Sequence, residues 1–163
     1  MTRIIATFLY VGHLRPAPGT WGTLAALAPA YALMALGGPW ALVAGTVAAV
    51  AVGLWATGAE VARTGVSDPP EIVIDEVAGM WLALWPVAFG ARMAGVEPAA
   101  LWPGWLAAFV LFRLFDILKP GPVGWAARMG TPGGVMLAEL IAGGFAALGV
   151  VLLAALAHGV MMR

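Results

Sequence analysis

Apolar residues run through this chain in long blocks, separated by short polar or Gly/Pro-rich stretches. Five blocks can be read. The first runs from about Trp21 to Leu36 and ends at Gly37-Gly38-Pro39. The second runs from Trp40 to Ala56. The third, Ile72 to Ala91, carries Asp75 and Glu76 near its start. The fourth, Leu101 to Leu118, carries Arg113 and Asp116 near its end. The fifth, Val135 to Ala157, carries Glu139. A helix crossing a bilayer needs about 20 apolar residues, so four blocks fit and the first is marginal, with a re-entrant path open to it. Pro29, Pro86 and Pro103 are expected to bend or begin helices, which membrane bundles tolerate. A short strand competes at Ile72-Val73-Ile74, because three β-branched residues disfavour helix.

Composition turns these blocks into a fold class. Of the 163 residues, 63% are hydrophobic and 10% charged, against about 25% charged in a soluble domain. The expectation is an all-α, polytopic membrane protein: about five helices in one bundle, forming a single domain over residues 1–163. The N-terminal apolar run, Ile4 to Val11, is short and leads into a Gly/Pro-rich loop, which does not read as a cleavable signal. Zero cysteines exclude disulfides and thiol chemistry, and two histidines support no zinc site. A net charge of zero gives no sign of nucleic-acid binding.

Threading five helices places the N-terminus, the loop before Ile72 and the loop after Leu118 on one side. Arg3, Arg15, Arg63, Arg113, Lys119 and Arg128 fall there, against Arg92 and Arg163 opposite, so that side is expected to face the cytoplasm. Every acid except Glu97 falls on or near the same side. Acids carry little topogenic weight, so their clustering asks for another cause. The small residues of the blocks suit close helix packing. Trp40, Trp81, Trp85, Trp102 and Trp105 suit interfacial anchoring.

Four polar constellations could supply chemistry. Arg15-Pro16-Ala17-Pro18-Gly19-Thr20-Trp21-Gly22-Thr23 opens into the first helix, where free N–H groups, Thr20, Thr23 and Arg15 suit a phosphate; a plain helix cap explains it as well. Asp68 can cap a helix beginning at Pro69, with Glu71 completing the cap. That leaves Asp75 and Glu76 unexplained, one to two turns further in. Arg113, Asp116 and Lys119, spaced by three, share a helix face; a structural ion pair with a snorkelling lysine is the competing account. Glu139 is the lone acid of the fifth helix, at the same inferred depth. If these helices pack together, four carboxylates and two cations meet, and hard oxygen donors without His or Cys suit Mg²⁺ beside a phosphate.

The stretches PAPGTWGTL, DPPEIVIDEVAG, FRLFDILKPGPV and GGVMLAELIAG, in that order, resemble the phosphatidylglycerophosphatase A family over roughly Arg15 to Gly143. The resemblance implies a Mg²⁺-dependent phosphatase of the inner (cytoplasmic) membrane. Such an enzyme hydrolyses phosphatidylglycerophosphate to phosphatidylglycerol and phosphate on the cytoplasmic side, in phosphatidylglycerol and cardiolipin synthesis. Three positions depart from the family pattern: Ala138 and Ala127 stand where acids are common, and Gly121 where Trp is usual.

The expected site follows. A subset of Asp75, Glu76, Asp116 and Glu139 holds Mg²⁺. Arg15, Thr20, Thr23, Arg113 and Lys119 bind the substrate phosphate, and Asp75, Glu76, Asp116 and Lys119 carry catalysis. The attacking group is either water or a carboxylate, Asp75 or Asp116. Two other readings stay open: an ion-coupled transporter using the buried acids, and a catalytically silent assembly subunit, motivated by Ala127 and Ala138.

Overall fold

The computed structural model describes residues 1–66 and 69–161, and it is helical throughout its described elements. Asp68, expected to cap a helix, and Arg163 lie outside the described residues. Two short pieces come first: α1 (Thr2–Ala6) and a 3-10 turn (Val11–His13). Then follow α2 (Pro18–Ala25), α3 (Leu27–Thr64), α4 (Ile74–Ala83), α5 (Trp85–Ala94), a 3-10 turn (Pro98–Leu101), α6 (Trp102–Leu118), α7 (Pro122–Ala127) and α8 (Pro132–Met161).

Among the described residues, four helical units are long and apolar enough to cross a bilayer: Pro18–Thr64, Ile74–Ala94, Pro98–Leu118 and Pro132–Gly159. The first is 47 residues long, about twice what one crossing needs. It folds back on itself at Gly38, whose φ of 69° and ψ of −164° are not helical. A side chain added at Gly45 would lie 2.7 Å from Leu33 Cδ1. Twelve residues of unbroken helix would separate those positions by about 18 Å. Gly38 supplies the positive φ, and Pro39 restarts the helix with no N–H to satisfy. The two expected blocks around Gly37-Gly38-Pro39 are therefore the two arms of one helical hairpin, residues 18–37 and 39–64.

The arms clasp α4 and α5. Trp81 Nε1 donates to the Ala26 carbonyl of the first arm at 2.8 Å, and Trp85 Nε1 to Thr46 Oγ1 of the second at 3.2 Å. These two tryptophans are interior struts, which corrects the expectation of interfacial anchors. Trp40 and Trp102 remain exposed near the end opposite the N-terminus. The third block is broken at Leu84, with Pro86 in the first turn of α5, as its proline predicted.

Small residues set the closest helix crossing. A Cβ on Gly143 of α8 would collide with the backbone oxygen of Gly79 on α4, and one on Gly79 would meet Phe112 at 2.6 Å. Asp75 stands four residues before Gly79, and Glu139 four before Gly143. The crossing thus brings both acids to one level, one turn toward the same end of the bundle. Outside, large apolar side chains stand open: Leu36, Trp40, Met93, Trp102, Leu106, Leu148 and Leu152 are each more than half exposed.

Candidate active site

The third block does not become helical where its sequence implied. Residues 69–73 form a turn, with Ile72 N–H donating to the Pro69 carbonyl at 3.0 Å, and no strand forms at Ile72–Ile74. The prolines hold the chain away from helical geometry, and Val73 keeps a φ of −137°. Val73 N–H is taken by the Ala6 carbonyl at 2.9 Å, and Gly12 packs against the Glu71 carbonyl. The N-terminal segment thereby braces the turn. Helix α4 begins only at Ile74, so Asp75 and Glu76 occupy its first turn. That corrects their expected depth. It also sets two carboxylates against the free N–H groups and positive pole of a helix start.

A cavity of about 320 Å³ opens at this end of the bundle. Its wall includes Asp75 and Glu76 of α4, Arg113, Asp116 and Lys119 at the end of α6, and Glu139 of α8. Thr20 and the backbone of residues 17–19, at the start of α2, close the opposite side, and Pro69, Pro70, Ile72 and Val135 complete it. Thr131 accepts the Gly134 N–H at 3.1 Å and so begins α8 beside the cavity. All four expected metal-binding acids and both cations of α6 therefore converge.

The polar groups are unequally satisfied. Arg113 Nη1 donates to Asp116 Oδ2, and Lys119 Nζ stands 3.6 Å from Asp116 Oδ1. Lys119 ends α6 in a left-handed conformation, φ 46°, and its side chain is about half exposed. Among the described residues, Glu76 Oε2, Glu139 Oε2 and Arg113 Nε are buried with no hydrogen-bond partner. Burying an ionisable oxygen without a partner is costly, so such atoms mark a place built for something to bind.

Two of the expected phosphate contacts lie off this wall. Thr23 is fully buried, and its hydroxyl is donated to the Gly19 carbonyl at 2.8 Å, inside its own helix. Arg15 is exposed and does not line the cavity, although the residues that follow it do. On the wall stands Gly19, to which the sequence reading gave no role of its own. A Cβ there would strike Glu76 Oε1 and lie 3.3 Å from Arg113 Nη1. A glycine lets the start of α2 settle on those two side chains without displacing the Glu76 carboxylate.

The family model for phosphatidylglycerophosphatase A matches residues 4–154, nearly the whole chain. The chain belongs to the phosphatidylglycerophosphatase A family. A protein of Haemophilus influenzae named phosphatidylglycerophosphatase A is 34% identical over 132 residues, covering 80% of this chain and 75% of the relative. One of the same name from Escherichia coli is 34% identical over 128 residues, covering 77% and 67%. A Bacteroides thetaiotaomicron protein, provisionally named a phosphatidylinositol-3-phosphatase, is 34% identical over 149 residues, covering 86% and 85%. No solved structure matches. As a member of the phosphatidylglycerophosphatase A family the chain is an enzyme, a phosphatase, which sets the transporter reading aside. The two departures from the family's acids fall outside the cavity wall: Ala138 is buried in the apolar core, and Ala127 packs against that core from α7.

No three His, Cys, Asp or Glu side chains among the described residues stand gathered as a finished ligand cage. Mg²⁺ does not require one, because it keeps several waters and is held by one or two carboxylates together with phosphate oxygens. Two unpartnered carboxylate oxygens facing a polar cavity fit that habit, and the absence of His and Cys ligands fits a hard ion.

Proposed function

We propose that this chain hydrolyses phosphatidylglycerophosphate to phosphatidylglycerol and phosphate in a Mg²⁺-dependent reaction at the cytoplasmic face of the inner membrane. The observation that carries the reading is the cavity itself. Four carboxylates and two cations, two of the acids with unpartnered oxygens, meet at one end of a bundle whose helices expose many large apolar side chains. The names of the relatives supply the substrate. The apolar spans and the six-to-two split of basic residues support the membrane and its sidedness.

In this reading a subset of Asp75, Glu76, Asp116 and Glu139 holds the ion. Bound there, Mg²⁺ offsets the charge of the phosphate oxygens and of the group that leaves. Arg113 and Lys119 receive the phosphate and orient it, Arg113 through its free Nε as well as the Nη1 that grips Asp116. Thr20 adds a hydroxyl from the opposite wall. A carboxylate of α4 or α6 either takes the proton of an attacking water or attacks phosphorus itself and is released by hydrolysis. Both routes break the bond between phosphorus and the glycerol oxygen, which leaves as the alcohol once protonated.

Phosphate release from phosphatidylglycerophosphate in detergent micelles, with Mg²⁺ and with EDTA, tests the proposal. Release that needs Mg²⁺ is expected. Release untouched by EDTA removes the metal, and no release from helical, monodisperse protein removes the substrate. The provisional name of the Bacteroides relative makes phosphatidylinositol 3-phosphate the comparison lipid in the same assay; faster turnover of that lipid would reassign the head group.

A further inference from the structure

The first helical arm and α6 run antiparallel and meet at two places. At one end Gly19 lies against Arg113, and Thr20 and Arg113 share the cavity wall. At the other the Tyr31 ring lies 6.4 Å from that of Trp105. The first arm touches α6 through α2 at the cavity end; beyond that α6 packs closely on α4 and α8 and makes little contact with α3. Helical spacing fixes what faces the gap. Thr20, Leu24, Leu27 and Tyr31 follow one another at steps of four, three and four, so they form one stripe between the cavity and the far contact. On α6 the residues Leu106 and Val110 lie on the face of Arg113 at steps of four and three. Leu24 is 40%, Val110 52% and Leu106 55% exposed. An apolar seam thus leads out of the polar cavity along the side of the bundle.

We propose that this seam holds an acyl chain of the lipid whose phosphorylated head occupies the cavity. The proposal rests on the reading of the substrate as a phosphorylated glycerolipid. Continuity names the occupant: one end of the seam is the anion-binding wall, and the side chains between it and the Tyr31–Glu97 hydrogen bond at the far end are apolar. Its length suits an extended chain: the eleven residues from Thr20 to Tyr31 rise about 16 Å, and Tyr31 at the far end donates to Glu97 of the loop after α5. Gly19 and Arg113 then mark where the head group turns out of the membrane, and the seam recognises chain length where the cavity recognises charge.

Leu24→Trp and Val110→Trp fill the seam from either side without touching the cavity. The assay compares dioleoyl with dihexanoyl phosphatidylglycerophosphate in micelles with Mg²⁺. The expected result is a fall of about tenfold in kcat/KM for the long-chain lipid, with the short-chain lipid changed by less than about twofold. Val47→Trp, an equally large change on the exposed face of the second arm, is expected to affect neither. An equal fall for both lipids, or no fall for either, overturns the seam. A wild-type protein that hydrolyses neither lipid overturns the function instead, and a second measurement then judges the seam alone. The chain has no cysteine, so Leu24→Cys provides a single thiol for a maleimide label. Saturating dioleoyl lipid is expected to slow labelling severalfold while glycerol phosphate does not. Labelling that the long-chain lipid leaves unchanged overturns the proposal.

Discussion

Two buried acids at the same end of the bundle each pair with an arginine three residues away, and only one of them belongs to a site. Glu60, in the second arm of the hairpin, accepts from Arg63 at 2.6 Å and from Thr2 Oγ1 at 2.6 Å. The space around it is about 20 Å³, and neither of its oxygens is left over among the described residues. Asp116, in α6, is paired with Arg113 and approached by Lys119, yet it faces about 320 Å³ and has three further carboxylates for company. An ion pair alone therefore says little. What separates the two is surplus: the Glu60 cluster consumes its donors and acceptors, and the Asp116 cluster carries more acid than its own cations satisfy. The first is a latch holding α1 to the hairpin. The second is a receptor for a charged group.

The sharpest way to break this comparison is to remove the same charge from each cluster. We predict that Asp116→Asn lowers kcat by about a hundredfold or more, the scale of losing one electrostatic contact to the transition state. Its helical content should stay at the wild-type level by circular dichroism. An Asp116→Asn protein with wild-type kcat would make the Arg113 pair as structural as the Glu60 pair. Lys119→Ala should come next, raising KM about tenfold with a smaller change in kcat, because Lys119 approaches Asp116 from the half-exposed rim. Unchanged kinetics would return Lys119 to the role of a snorkelling side chain.

The sequence carried the outline of this comparison and missed its detail. Block lengths, the Gly37-Gly38-Pro39 break and the crowding of acids on one side were legible, because bilayer thickness and backbone chemistry act locally along the chain. So was the convergence of Asp75, Glu76, Asp116 and Glu139, because their shared depth brings them together once the helices pack. The start of α4 was not, because it is set by a hydrogen bond from Val73 to Ala6, 67 residues earlier. Thr23 looked like a phosphate ligand because its type fits. Its rotamer, turned back on Gly19, depends on burial that no local pattern reports. Gly19 was invisible for the opposite reason: its importance lies in what it lacks, next to an acid 57 residues away. Trp81 and Trp85 misled because tryptophan serves both interface and interior, and only their partners Ala26 and Thr46 decide.

Smaller effects sharpen the contrast from the latch side. Glu60→Gln should leave kcat within about twofold while lowering the thermal midpoint by roughly 2–4 °C, the shift expected from about 1 kcal/mol in a chain of this size. A midpoint unchanged with activity lost would give Glu60 a part in catalysis that its closed surroundings do not support.

The smallest expected effect tests surplus most directly. Ala127 sits on α7 at the same end as the cavity, where the family commonly carries an acid. If the site works because its acids exceed its cations, one more acid nearby matters only if it reaches the cavity. Ala127 does not line that wall; it packs against the core behind Val123 and Ala126, which are fully buried. We therefore predict that Ala127→Asp changes kcat/KM by no more than about twofold and leaves the Mg²⁺ concentration for half-maximal activity in place. A large gain would mean that α7 swings its outer face into the cavity during turnover, and the receptor would then be built from five acids, with this chain lacking one of them.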